Sequence, residues 1–221
     1  MIFRDRVDAG QQLAEALADL RAEHPIVIGI ARGGMPVAAE VARRLEAPLD
    51  VQVVRKIGVP GNREYAIGAL SGDVLRLDHR TIELLRIPRS LVDQTVASEL
   101  QTLREREAIY HASHSPIEVR GRTVILVDDG LATGMSAQAA IAALRARGAG
   151  RVIFAAPVCA PDSAATLRQQ ADDVVCALSP PEFHAVGLWY DDFSPTRDTE
   201  VLRVLDEAAA RQPEPTASAR T

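Results

Sequence analysis

The sequence predicts an α/β fold, a mainly parallel sheet with helices on both faces, and three observations predict it. Short unbroken apolar runs, such as "PIVIGI" at 25–30 and "VILV" at 124–127, have the hydrophobicity of strands buried on both sides. Between them lie segments with apolar positions at helical spacing, of about 10–15 residues. The two kinds alternate along the chain, as βαβ units require, and ligands then belong at the carboxyl ends of the strands.

The elements follow in order. Residues 7–22, "VDAGQQLAEALADLRA", repeat apolar positions as an amphipathic helix does, and "PIVIGI" is a short buried strand. A helix over 35–46 leads to a second strand, "LDVQVVRK" at 49–56. Residues 90–110 form a long helix, "RTVILVDD" at 122–129 a strand, and "SAQAAIAALRARG" at 136–148 a helix stopped by Gly148. Strand "RVIFAAPV" at 151–158, helix "PDSAATLRQQA" at 161–171 and strand "DVVCAL" at 173–178 complete the alternation.

Two segments depart from it. "IGVPGNREYAIGALSGD" at 57–73 is rich in glycine and turn formers and is expected to be a long mobile loop with a short hairpin. "SPPEFHAVGLWYDDFSP" at 179–195 holds the single Trp and two of the four Phe, and is expected to be an irregular aromatic cap. The last ten residues, "QPEPTASART", have the composition of a disordered tail, leaving residues 1–211 as a single domain.

Composition narrows the function. Lys plus Arg is 25 and Asp plus Glu 30, a net charge of −5, which gives no electrostatic reason to expect nucleic-acid binding. The opening "MIFRDRVDAG" lacks an apolar signal core, and no uninterrupted apolar run approaches the roughly 20 residues of a membrane span. A cytoplasmic protein away from membranes is the expectation. Cys159 and Cys176 each sit in an apolar run far from any CxxC or Cys/His cluster, and are expected to be buried free thiols.

The stretch "VILVDDGLATGMS", Val124 to Ser136, carries the chemistry. It sets Asp128 and Asp129 at the carboxyl end of a strand, then turns through small residues into a helix. Backbone N–H groups and the hydroxyls of Thr133 and Ser136 at a helix start form a seat for a phosphate. Glycine and alanine there let the backbone approach the anion. The carboxylates would repel a phosphate, but they accept hydrogen bonds from a vicinal diol and favour positive charge developing on a nearby carbon. A ligand with a phosphate at one end and a sugar diol in its middle fits both halves. An Asp N-cap before a glycine turn is the bland reading of "DDG" alone.

The full run, four apolar residues, Asp-Asp, two variable positions, Ala-Thr-Gly and then Ser, resembles the phosphoribosyl diphosphate (PRPP) signature of type I phosphoribosyltransferases. "IGIARGGMPVAAEVA" at 28–42 is similar to the family's pyrophosphate loop, and "VVRKIGVPGNREYAIGAL" at 53–70 to its basic dipeptide and flexible loop. With the ending "PPEFHAVGLWYDDFS", the resemblance spans nearly all of the chain except the tail, and is closest to a subgroup whose acceptor is not established.

The resemblance implies a type I phosphoribosyltransferase-like fold with a flexible loop and a C-terminal hood at about 179–195, and a role for each matching residue. Asp128 and Asp129 would hold the ribose hydroxyls, and Ala132, Thr133, Gly134, Met135 and Ser136 would wrap the 5′-phosphate. Arg32, Gly33 and Gly34 would bind pyrophosphate in a loop that often carries a cis peptide. Arg55 and Lys56 would supply positive charge to the diphosphate, and Arg63 would reach it when the loop over 58–68 closes. Phe183, His184, Trp189 and Tyr190 would face the acceptor, although packing of a cap onto the core and solvated loop cations explain several of these residues equally well. Mg2+ would enter on PRPP, with no protein metal ligand assigned.

Two functions follow from the resemblance. One is transfer of the phosphoribosyl group from PRPP to a small-molecule nitrogen acceptor such as a nucleobase. The other is a non-catalytic PRPP- or nucleotide-sensing regulatory protein. The resemblance also allows a homodimer. A dehydrogenase is disfavoured, because "GIARGG" is not GxGxxG.

Overall fold

The computed structural model describes residues 2–211, apart from the side chains of 63 and 64. Helix α1 (Arg6–Ala16) starts at Asp5, whose carboxylate accepts the Asp8 N–H at 2.8 Å, so Arg6 occupies the first helical position. A 3-10 turn (Ala18–Glu23) leads to β1 (Ile26–Ala31), α2 (Gly34–Leu45) and β2 (Leu49–Val53). Then follow β3 (Arg55–Val59), β4 (Asn62–Ser71), β5 (Val74–Leu77), α3 (His79–Leu84) and α4 (Arg89–Tyr110). The remaining elements are β6 (Thr123–Val127), α5 (Met135–Ala146), β7 (Arg151–Val158), α6 (Pro161–Leu167), β8 (Asp173–Leu178) and α7 (Asp198–Arg211).

Five parallel strands run in the order β2-β1-β6-β7-β8. Alternate residues serve opposite faces, which is why the strand sequences are apolar without interruption. Val27, Ile125 and Ile153 pack with α1, α2, α4 and α7 through Leu13, Val41, Leu103 and Val201. Ile28, Leu126 and Phe154 pack on the other face against Ile141 and Leu144 of α5 and Leu167 of α6. Each such fully buried side chain contributes about 1.5–3 kcal/mol.

The strand order reverses at β1. From β1 the chain goes outward to β2, and it later returns to lay β6 on β1's other side. The loops after β1 and β6 therefore diverge around a crevice at the carboxyl edge, the switch point where doubly wound sheets bind ligands.

Several expectations are corrected. "LDVQVVRK" is not one strand, because pairing with β1 ends at Val53 and Arg55 begins β3 in a second sheet. The expected loop at 57–73 is mostly paired backbone, a three-stranded antiparallel sheet β3-β4-β5 turned at Gly61 and Gly72, both with positive φ. Its glycines mask the alternation of small and apolar residues that marks a strand. The helix at 161–171 stops at Leu167.

Cys159 and Cys176 are not free thiols but a disulfide, with Cα atoms 6.0 Å apart. Their spacing of 17 residues hides what the crossover through α6 does, which is to lay β8 beside β7 in register Ala156 to Cys176 and Val158 to Leu178. The segment expected as a tail, 212–221, lies outside the described residues. Among the described residues no helix is long and apolar enough to cross a membrane.

Candidate functional site

A cavity of about 820 Å³ opens at the switch point. Ile30, Ala31 and Arg32 line it from β1 and its loop, Val54, Arg55 and Lys56 from the start of β3, Gly58 to Gly61 from the β3–β4 turn, and Asp128 to Ala137 from the end of β6 into α5. Of the residues singled out in the sequence, Arg32, Arg55, Lys56, Asp128, Asp129 and the whole run Ala132 to Ser136 meet there.

Asp128 and Asp129 follow directly on the end of β6 and are half-buried in the crevice. The Asp128 carboxylate accepts the Asp129 N–H at 2.9 Å. Burial and the neighbouring charge of Asp129 push Asp128 well above the ordinary carboxylate range, against the pull of Lys56 and Arg6. Burial also raises Asp129, and Arg6 opposes it most strongly.

Arg6 is the residue sequence reasoning missed. Its Nε donates to Asp129 Oδ2 at 2.9 Å with Nη2 in ion-pair contact with the same oxygen at 2.8 Å, its Nη1 donates to the Ser194 carbonyl at 2.8 Å, and its guanidinium lies 4.0 Å from the centre of the Phe193 ring. No motif signals a contact that bridges 123 residues; the only trace is an arginine at the head of an amphipathic helix.

The loop after β1 touches the same carboxylate. A Cβ on Gly33 would lie 2.1 Å from Asp129 Oδ2, and one on Gly34 would lie 2.6 Å from the Val127 carbonyl oxygen. These glycines let two loops close on each other, and the Ala31–Arg32 peptide before them is cis. Arg32 faces the cavity with its Nη1 3.9 Å from Asp198 of α7, a carboxylate that also accepts the Tyr110 hydroxyl.

After the acidic pair, Leu131 continues the sheet by pairing with Cys159, and Ser163 donates its hydroxyl to the Ala132 carbonyl. Gly134 takes φ 75° as the N-cap of α5, whose first turn has no side-chain cap. Its leading N–H groups are therefore left for an anion. Ala132 and Thr133 are exposed, and Ser136 is half-buried.

The basic dipeptide splits. Lys56 is exposed in the cavity, and its charge favours ionisation of both aspartates. Arg55 is tied to Glu99 of α4, which is 5% exposed. Helix α4 supplies a wall that the sequence does not announce: Gln94, Thr95, Ser98 and Arg106 join Glu99 on the cavity side. Arg63 lies in β4, and its side chain is outside the described set.

The aromatic cap reaches the cavity through Val186 and Phe193, while Phe183, His184, Trp189 and Tyr190 do not line it. Tyr190 is buried, packs against Phe3 and Phe193, and donates its hydroxyl to the Asp129 carbonyl at 2.6 Å. Phe183 and Trp189 pack on the same small cluster, and His184 is exposed. Most of the cap's rings thus seat it on Phe3, Val158 and Leu178 at the sheet's edge. Gly130 permits this approach, since a Cβ there would meet Val186 at 2.4 Å.

A model of a family described as the phosphoribosyl transferase domain matches residues 5–189. A Mycobacterium tuberculosis protein named "Putative phosphoribosyl transferase" is 42% identical over 208 residues, 94% of this chain and 47% of its own length. The chain thus spans about half the length of the curated relatives it matches. A solved structure, TT1426 from Thermus thermophilus, shares 42% identity with a TM-score of 0.78 over 94% of this chain and 99% of that one. A "Bifunctional protein PyrR" from Roseiflexus is 33% identical over 110 residues, 49% of this chain and 55% of its own.

Proposed function

The chain belongs to the phosphoribosyltransferase family, and from that premise we propose that it moves the 5-phosphoribosyl group from PRPP to a nitrogen acceptor, a nucleobase or similar, releasing pyrophosphate. One observation carries this reading: a half-buried acidic pair, an uncapped helix start and the cavity-lining cations Arg32 and Lys56 share one crevice. That sequence of charges matches a donor that is an anion at each end and a diol between.

In this reading the N–H groups at the head of α5, with Thr133 and Ser136, hold the 5′-phosphate. Asp128 and Asp129 accept hydrogen bonds from the ribose hydroxyls. Arg32, Lys56 and the backbone at Gly33 and Gly34 hold the diphosphate. As the bond from the anomeric carbon to the diphosphate oxygen breaks, the electron pair leaves with the diphosphate and the two cations offset its charge. The carboxylates favour the positive charge left on the sugar, the acceptor nitrogen forms the new bond, and its proton departs to solvent or a base. Mg2+ would enter with PRPP and supply further positive charge at the diphosphate beside Arg32 and Lys56. Among the described residues no group of three or more His, Cys, Asp or Glu side chains is gathered to hold a metal. A cytoplasmic location belongs to the same reading.

Calorimetric titration with PRPP and magnesium tests it. Saturable binding near one site per chain is expected, followed by pyrophosphate release when nucleobases are added. Absence of binding by the folded protein would end the transferase reading. Binding with no release across the common nucleobases would turn it toward a PRPP-sensing protein.

A further inference from the structure

The diol-binding carboxylate does not stand on its own loop. Asp129 Oδ2 takes a hydrogen bond from Arg6 Nε and an ion-pair contact from Nη2, while its Oδ1 takes no hydrogen bond from another described residue. Both partners are largely buried, their side chains 11% and 16% exposed. The same guanidinium spends its third nitrogen on the Ser194 carbonyl and its face on Phe193, a cavity-lining ring of the cap. A planar fork held on three sides has one orientation, so the carboxylate it grips has one as well.

We propose that Arg6 is a positioning residue: it fixes the rotamer of Asp129, presents Oδ1 to the ribose diol, and links the acceptor-side cap to the donor site. The inference rests on the phosphoribosyl reading above for the identity of the ligand, and on the geometry alone for the orientation of the carboxylate. Arg6 touches neither reacting group. A lysine keeps the charge but cannot make both contacts with Asp129 and the contact with Ser194 together.

Four groups bear on Asp129: Arg6 from α1, Lys56 from β3, Asp128 beside it, and the Tyr190 hydroxyl from the cap. Arg6 also acts on Asp192. Removing Arg6 leaves Lys56 as the only cation of the set, so Asp129 should take a proton at higher pH.

The test compares wild type, Arg6→Gln and Arg6→Lys by PRPP–magnesium titration across pH. For Arg6→Gln, binding at least about tenfold weaker is expected, with the acid limb of the affinity profile moved to higher pH. For Arg6→Lys, the limb should return toward its wild-type position while affinity stays below wild type. A limb unmoved in Arg6→Gln, with only a lower melting temperature, would overturn the proposal and leave Arg6 a structural residue. Should Arg6→Gln not fold, wild-type affinity in Arg6→Lys overturns it. If the wild type itself binds no PRPP, the ligand reading falls separately, and carbon-13 NMR of the Asp129 carboxyl decides the positioning role. An upward move of its titration in Arg6→Gln, reversed toward wild type in Arg6→Lys, supports the role, and an unchanged titration in Arg6→Gln overturns it.

Discussion

Arg55 donates its Nε to Glu99 Oε2 at 2.8 Å and holds its Nη2 in ion-pair contact with the same oxygen at 2.6 Å. The first cation of the basic dipeptide is thus engaged in joining β3 to α4, while its neighbour Lys56 stays exposed in the cavity. Lys56→Ala should weaken PRPP and pyrophosphate binding about tenfold and barely change ribose 5-phosphate binding. Arg55→Ala should instead lower the melting temperature by several degrees, because it takes a cation from a buried carboxylate. Equal losses for all three ligands in Lys56→Ala would show that Lys56 does not face the diphosphate.

Gly33 has no room for a side chain, since a Cβ would lie 2.1 Å from Asp129 Oδ2 and 2.8 Å from its Cγ. Gly33→Ala should displace that carboxylate and abolish measurable PRPP binding while the circular dichroism spectrum is kept. Wild-type affinity in the alanine variant would mean that the loop and Asp129 separate when ligand binds.

Asp128 has a pKa raised well above the ordinary 3.8, first by burial and then by the charge of Asp129. The native chain therefore keeps a proton that the unfolded chain gives up, and stability is lost as pH rises from the ordinary carboxylate range through the raised value. Donor affinity should rise over the same interval, because only the ionised carboxylate accepts from a diol without a competing proton. Asp128→Asn should flatten the fall in stability, raise the melting temperature at pH 8 and weaken PRPP binding. Differential scanning calorimetry of both proteins from pH 4 to 9, set beside titrations, measures each limb; parallel stability curves would refute the assignment.

Cys159 and Cys176 close a short loop through α6, with a sequence separation of 17. Loop-closure entropy for that length corresponds to about 3 kcal/mol of stability. The denatured, unreduced protein should show no alkylatable thiol and the reduced protein two, and reduction should lower the unfolding free energy by an amount of that order. Two thiols without reductant would restore the free-cysteine expectation.

The parallel sheet is legible in the sequence because each strand is apolar on both faces, so that Val27 and Ile28, or Ile125 and Leu126, announce themselves without regard to register. Asp128, Asp129 and Ala132 to Ser136 are legible because one loop holds them in fixed order. What spans the chain is not. Arg6 meets Asp129, Cys159 meets Cys176 and Glu99 meets Arg55 only after crossovers whose geometry no local pattern encodes. The β3–β4–β5 sheet is obscured by Gly58, Gly61, Gly68 and Gly72, which mark turns and close approaches within strands as readily as they mark a loop. Counting the rings of the cap suggests a stacking platform, but a count carries no placement. Tyr190 and Trp189 instead form the cap's underside.

The grip on Asp129 also orders events in time. Arg6 leaves the ribosome 123 residues ahead of Asp129, and Ser194 and Tyr190, which complete the enclosure, follow later still. The phosphate seat at the head of α5 and the turn at Gly33 need only β1, β6, β7 and α6, all of which precede the cap. The sugar end needs the first helix and the cap to meet across a finished sheet, a long-range closure of the slow kind. A nascent chain halted before Tyr190 would hold the anion-binding half of the pocket and lack the half that recognises a sugar.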